Sequence, residues 1–203
     1  KEEDGKLRFE RTADCPDFRM VIHSRSGMLP AVRFHLEDSH LSHDSLLTRE
    51  EIDEHRKEND GFLSLDFVFK RNFTEIFRTK DPDFYSRIKN LSIEEFVEEM
   101  MDLRERLDPF QLLKAEYIQA EKSIKRQESI YWKEMLAVLS FAMNHPAKYL
   151  SAEDMQRLQK VLMPLISIVI AFVPQKSCSE LLALHHAGVL DITAVNQDSF
   201  VEP

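Results

Sequence analysis

The chain has 203 residues, 43% of them hydrophobic, and a formal net charge of −9. This excludes a disordered segment and speaks against a nucleic-acid binder, because counterion release needs a basic face. Its four glycines are few for a nucleotide-binding α/β domain, and its two cysteines, Cys15 and Cys178, lie outside any C-x-x-C, which excludes a disulfide framework.

The chain begins with the charged run Lys1, Glu2, Glu3 and Asp4, with no apolar signal segment, and a cytoplasmic protein is expected. Arg19 to His23 reads as a short strand, with β-branched Val21 and Ile22 at its centre. Ser24 to Asp44 is polar and loop-like. Thr48 and Glu51 form a capping box that opens a helix, and Gly61 is placed to stop it. Ser64 can cap the next helix, where Leu65, Val68, Phe69, Phe73, Ile76 and Phe77 fall on one face. Asp81 and Pro82 read as a turn.

Ser92 and Glu95 form a second capping box, followed by a stripe of Ile93, Phe96, Val97, Met100, Met101 and Leu107. Asp108 and Pro109 restart a helix that runs through Leu112, Leu113 and Tyr117. A polar stretch from Gln119 to Glu128 precedes a further stripe at Ile130, Tyr131, Met135, Val138, Leu139 and Ala142. Ser151 and Asp154 open another helix, apolar on nearly every side after Leu158 and kinked by Pro164. Its apolar run from Val161 to Val173 falls short of the roughly 20 residues of a membrane span. Ser177 is placed to open the last helix and Gly188 to end it, before a strand at the end of the chain.

The aromatic residues Trp132, Phe67, Phe69, Phe73 and Phe77 sit on helical stripes and read as core. Glu94, Glu95, Glu98 and Glu99 read as a solvated helix face, and His185 and His186 as a helix end near the dipole. His35, His40 and His43, with Asp38 and Asp44, have metal-capable side chains. They lie in a loop without fixed zinc-ligand spacing, so no metal site is assigned. A metal-dependent enzyme using these histidines remains a third functional reading. Walker A, G-x-S-x-G and G-x-G-x-x-G motifs are all missing from the sequence.

Ser24, Arg25 and Ser26 carry a more specific signal. In a dinucleotide-binding βαβ unit the end of the second strand faces the adenosine ribose. A Ser/Arg pair there donates to a 2′-phosphate, since the guanidinium fork matches phosphate oxygens. The competing reading is a surface salt bridge at Arg25.

The run Met20 to Arg33 resembles the S-R-x-G-x-x-P segment of bacterial FAD/NAD(P)-binding proteins of the flavin-monooxygenase-like type. Leu181 to Ile192 is similar to their later return from helix to sheet. The resemblance implies FAD and NADPH for a longer parent oxidoreductase, with neither expected on this chain alone, and Ser24, Arg25 and Ser26 as NADPH contacts. It also implies that this chain is a helical insertion or substrate-side domain, inactive by itself, whose partner is the rest of the parent polypeptide. The expected fold is mainly α, with short terminal strands left from a truncated Rossmann-like framework. The expected division is 1–47 as α/β region and loop, 48–175 as helical insertion and 176–203 as helix–strand return. The alternative is a stand-alone helical module that docks a protein partner through an apolar groove.

Overall fold

The structure of the chain, a computed structural model, describes residues 2–3, 6–37 and 47–200. Strands β1 (Glu2–Glu3), β2 (Lys6–Leu7) and β3 (Met20–Ser24) come first. Helices α1 (Arg49–Glu58), α2 (Leu65–Asn72), α3 (Phe77–Lys80), α4 (Pro82–Ile88) and α5 (Ile93–Arg106) follow. Then come α6 (Pro109–Arg126), α7 (Tyr131–Ala142), α8 (Ala152–Arg157), α9 (Met163–Ile170) and α10 (Gln175–His186), before strand β4 (Leu190–Ala194). The protein is mainly α, with short strands near both ends of the chain, as the sequence predicts. Among the described residues no helix is long and apolar enough to cross a membrane.

Local chemistry sets most helix starts. Thr48 Oγ1 accepts from Glu51 N at 3.1 Å while Thr48 N donates to Glu51 Oε2 at 2.9 Å, which satisfies two otherwise orphaned groups of α1. Ser92 and Glu95 repeat the exchange at α5, at 3.2 and 2.8 Å. Asp108 Oδ1 accepts from Phe110 N and Gln111 N ahead of α6. Asp81 and Pro82, expected to form a turn, instead start α4: Asp81 Oδ1 accepts from Phe84 N and Pro82 fills the first helical position. Ser64 makes no side-chain cap. The Leu65 amide donates to Asp154 Oδ2 at 2.9 Å, so α2 is capped by a carboxylate from α8.

Helix α6 runs on through the polar stretch as far as Arg126, because Ala120 and Ser123 within it are buried. A π-turn at Leu158–Leu162 precedes α9, just before Pro164, which has no N–H to offer the ladder. The last helix starts at Gln175 after Pro174, ahead of the expected Ser177. It ends in a Schellman motif. Val189 N donates to Leu184 O and Gly188 N to His185 O, with Gly188 at a φ of 67°.

The chain forms two compact units, residues 1–34, 103–126 and 171–203 in one, and 35–102 with 127–170 in the other. The second unit is helical. Its core stacks Phe73 against Phe69, Phe77 and Phe96, with ring centroids 5.1, 5.0 and 5.2 Å away. Leu136 and Leu139 of α7, Leu162 of the π-turn and Leu165 and Ile166 of α9 complete it, all of them fully buried. Phe67 and Trp132 pack against its edge. Phe69, Phe73 and Phe77 are core, as their spacing predicts, while Phe67 and Trp132 are only partly buried.

Arg157 joins three helices of this unit. It donates to Asp66 of α2, to Glu94 of α5 and to Asp154 of α8 over distances of 2.8 to 3.1 Å. Hydrogen bonds to Asp66 and Glu94 push its proton affinity up, and the same guanidinium holds the Glu94 carboxyl below its ordinary value. A carboxyl with a lowered folded pKa contributes stability above its unfolded value, and this is lost as the pH falls through the folded value. Arg157→Met should therefore destabilise the protein at pH 7 by about 1 kcal/mol, a figure discounted for half-exposed carboxylates. The gap to the parent protein should narrow below pH 4.5, the ordinary glutamate value. Urea unfolding between pH 3 and 7 measures it, and a gap independent of pH would remove the ion pairs from the account.

Candidate functional site

In the first unit β3 and β4 pair in parallel, Met20 opposite Leu190 and Ser24 opposite Ala194. Met20, Ile22 and Ser24 are half-buried on one face of β3, while Val21 and His23 are exposed on the other. Beyond Ser24 the chain turns through Arg25, Ser26 and Gly27, so the predicted site residues share one turn at the carboxyl end of both strands. In parallel sheets this is the end where ligands gather.

The turn is closed by its own groups. Val195 N donates to Ser24 O at 2.9 Å, which extends the strand ladder to the first residue of the turn. Ser24 Oγ donates to Met28 O at 3.4 Å, and Met28 N donates to Ser26 Oγ at 3.3 Å. Gly27 has a φ of 70°, and a Cβ placed there would stand 3.3 Å from the Ala194 Cβ. Glycine is needed twice over, for the left-handed backbone and for the approach to β4. Ser26 and Arg25 are exposed.

The loop after the turn is buried. Ala31 and Val32 are inaccessible, Arg33 N donates to Val173 O, and Val173 N donates to Ala31 O, both at 2.9 Å. Val173 leads into α10, which packs against α6 and carries the chain to β4. His185, in the last turn of α10, has Nδ1 3.1 Å from Leu190 O and its ring stacked on Phe110 at 3.8 Å. Its role is to seat the helix against β4, in keeping with the structural reading.

Sequence reasoning missed two residues of this region. Arg104, in the last turn of α5, donates from Nη1 to Leu29 O at 3.0 Å and from Nη2 to Glu116 Oε1 at 2.5 Å. The two side chains are 6% and 10% exposed, so this is a buried ion pair. A signal was present: Glu116 falls between Leu113 and Ala120 on the buried face of α6, at helical spacing. Cys178 lies fully buried in the same unit, and its thiol is pushed up to about 12 by burial and then by the Glu116 charge. A thiol held protonated in this way is no nucleophile.

The other candidates separate. His40, His43, Asp38 and Asp44 lie outside the described residues, and His35 stands in the second unit. Glu94 and Glu99 are ion-paired with Arg157 and Arg87. In the second unit an open cleft of about 410 Å³ is lined by Asp60, Phe62, Glu153, Asp154 and Arg157. Its arginine already faces three carboxylates, so it offers no charge to an anion.

Residues 48–170 match the YdhS-like middle domain family. The chain belongs to that family. It is also 27% identical, over 200 residues, to the uncharacterized protein YdhS of Escherichia coli strain K12, an alignment covering 96% of this chain and 36% of the relative. The chain thus spans well under half the length of that relative. These matches correct the assignment to flavin-monooxygenase-like proteins, and with it the reading of the chain as an insertion domain of a FAD/NAD(P)-dependent oxidoreductase. Neither description carries a flavin or an oxidoreductase. The physical reason is where the information lay. The resemblance rested on two short terminal stretches, whose strand, glycine turn and helix–strand return are shared by many parallel strand pairs. The family match rests on the helical middle, where the packing pattern is long and particular. The matches give no support to a stand-alone interaction module either.

Gly27→Ala should lower the unfolding free energy by about 1–2 kcal/mol, from backbone strain and the contact with Ala194. Gly188 has a similar φ of 67° with nothing within 4 Å of a Cβ, so Gly188→Ala should cost less. Denaturant titration of both variants decides, and equal losses would take the close approach out of the argument.

Proposed function

We propose that this chain is a binding domain whose Ser24, Arg25 and Ser26 receive a phosphomonoester, of the kind carried as the 2′-phosphate of an adenine nucleotide. The observation that carries the reading is the placement of all three on one glycine-closed turn at the carboxyl end of the parallel strands. Arg25 is exposed and supplies the charge and the planar donor fork. Ser26 Oγ accepts from Met28 N, which leaves its hydroxyl hydrogen free for a phosphate oxygen. Ser24 Oγ spends its hydrogen on Met28 O at 3.4 Å, a long contact that a stronger acceptor can replace.

The role is recognition, because the turn itself presents donors suited to an anion. A cytoplasmic setting accords with the two free cysteines, one of them exposed.

The test is titration of the full-length protein with adenosine 2′,5′-bisphosphate and with adenosine 5′-monophosphate. The bisphosphate should bind more tightly, and Arg25→Ala should weaken it about tenfold, the worth of a charge-assisted hydrogen bond. Equal affinities for the two nucleotides, or an unchanged affinity in Arg25→Ala, would overturn the reading.

A further inference from the structure

Arg104 has a place that the proposed phosphate site does not yet use. Its guanidinium is buried and its two terminal nitrogens are divided between partners, Nη1 to Leu29 O and Nη2 to Glu116 Oε1. Burying such a pair is costly, and apolar residues of similar volume often serve stability as well or better. The geometry of this pair is directed at one point of backbone. Leu29 follows Met28, and Met28 is the residue to which both Ser24 and Ser26 are hydrogen-bonded. The turn is thus held on both sides. The strand ladder fixes Ser24 through Val195 N, and Arg104 fixes the outgoing chain at Leu29. Glu116 orients the guanidinium plane, and the buried side chain of Leu29 anchors the same residue from the other end.

We propose that Arg104 is the positioning residue of the Ser24–Ser26 turn, oriented by Glu116 and acting through the Leu29 carbonyl. It keeps the turn in one conformation before the phosphate arrives, so that binding does not have to order the loop. The proposal rests on the phosphate reading of that turn.

The exposed Arg25 gives a direct readout, because trypsin cleaves after arginine and needs a locally opened chain. In the full-length protein two variants are compared. Arg104→Met/Glu116→Leu replaces the pair with apolar side chains, and Arg104→Lys keeps a charge that cannot serve both partners as a planar fork. Cleavage at the Arg25–Ser26 bond is followed by mass spectrometry, beside cleavage at other sites and equilibrium binding of adenosine 2′,5′-bisphosphate. The double variant should keep the helical circular dichroism of the parent. Its Arg25–Ser26 cleavage should rise at least about tenfold while other sites keep their rates, and its affinity should fall by a similar factor. Arg104→Lys should lie between the two, and it carries the test if the double variant does not fold. Unchanged cleavage at Arg25 in a folded variant overturns the proposal, as does an equal rise at every site, which marks general loosening. Faster cleavage with undiminished affinity overturns it too. Arg25→Ala separates the two levels: if it loses affinity while the Arg104 variants do not, the phosphate reading stands and the positioning role falls.

Discussion

The parallel pairing of Met20–Ser24 with Leu190–Ala194 is the constraint on which the first unit depends. It brings together segments from the two ends of the sequence, so almost the whole chain must return before the pair can close. Closing so long a loop costs entropy that grows only slowly with length, but none of it is recovered locally. Five-residue strands alone do not repay it. The return is secured by α10, which ends in a Schellman motif at Gly188 and seats His185 between Phe110 and the Leu190 carbonyl. The turn after β3 inherits its position from this closure. Gly27 can approach Ala194 because β4 is already in register.

Charged side chains buried among the described residues include Lys133 and Glu134 in the second unit and Arg104 and Glu116 in the first. In the second unit Arg157 meets Asp66, Glu94 and Asp154 at a partly open surface, where the pairs join helix ends at modest cost. In the first unit Arg104 and Glu116 are withdrawn from water, and desolvation makes their geometry matter more. The two arginines are therefore unlike in kind. One is saturated by carboxylates and fastens helices. The other shares its donors between one carboxylate and one main-chain carbonyl, and so transmits the position of α6 to a loop.

Much of the helical architecture is legible because its signals are local. Thr48 with Glu51, Ser92 with Glu95, and Asp108 with Pro109 each close a cap within one turn of chain, and the phenylalanine spacing of Phe69, Phe73 and Phe77 writes the core directly. What escapes is non-local. Ser64 sits where a cap belongs, yet Leu65 takes its acceptor from Asp154, a residue distant in sequence. The polar stretch in α6 hides Ala120 and Ser123 on a buried face, because its composition outweighs its periodicity by eye. The Ser24–Gly27 turn is visible from its residues, whereas its support by Arg104 is not, since a main-chain carbonyl leaves no mark in the sequence. The resemblance to flavin enzymes failed for a related reason. A short strand followed by a turn with a left-handed glycine is what the backbone requires at such a corner, whatever protein surrounds it.

The family match takes in parts of both compact units. Residues 48–170 include the excursion Leu103–Arg126, which the chain spends in the first compact unit and not in the helical second one. That excursion carries Arg104 on the end of α5 and Glu116 on α6. The matched segment therefore supplies more than a helical body. It also supplies the buried pair on which the loop after β3 rests, although that loop and both strands lie outside the match. The turn and its support come from opposite sides of the family boundary, so neither segment by itself holds both the turn and the arginine that reaches its outgoing chain.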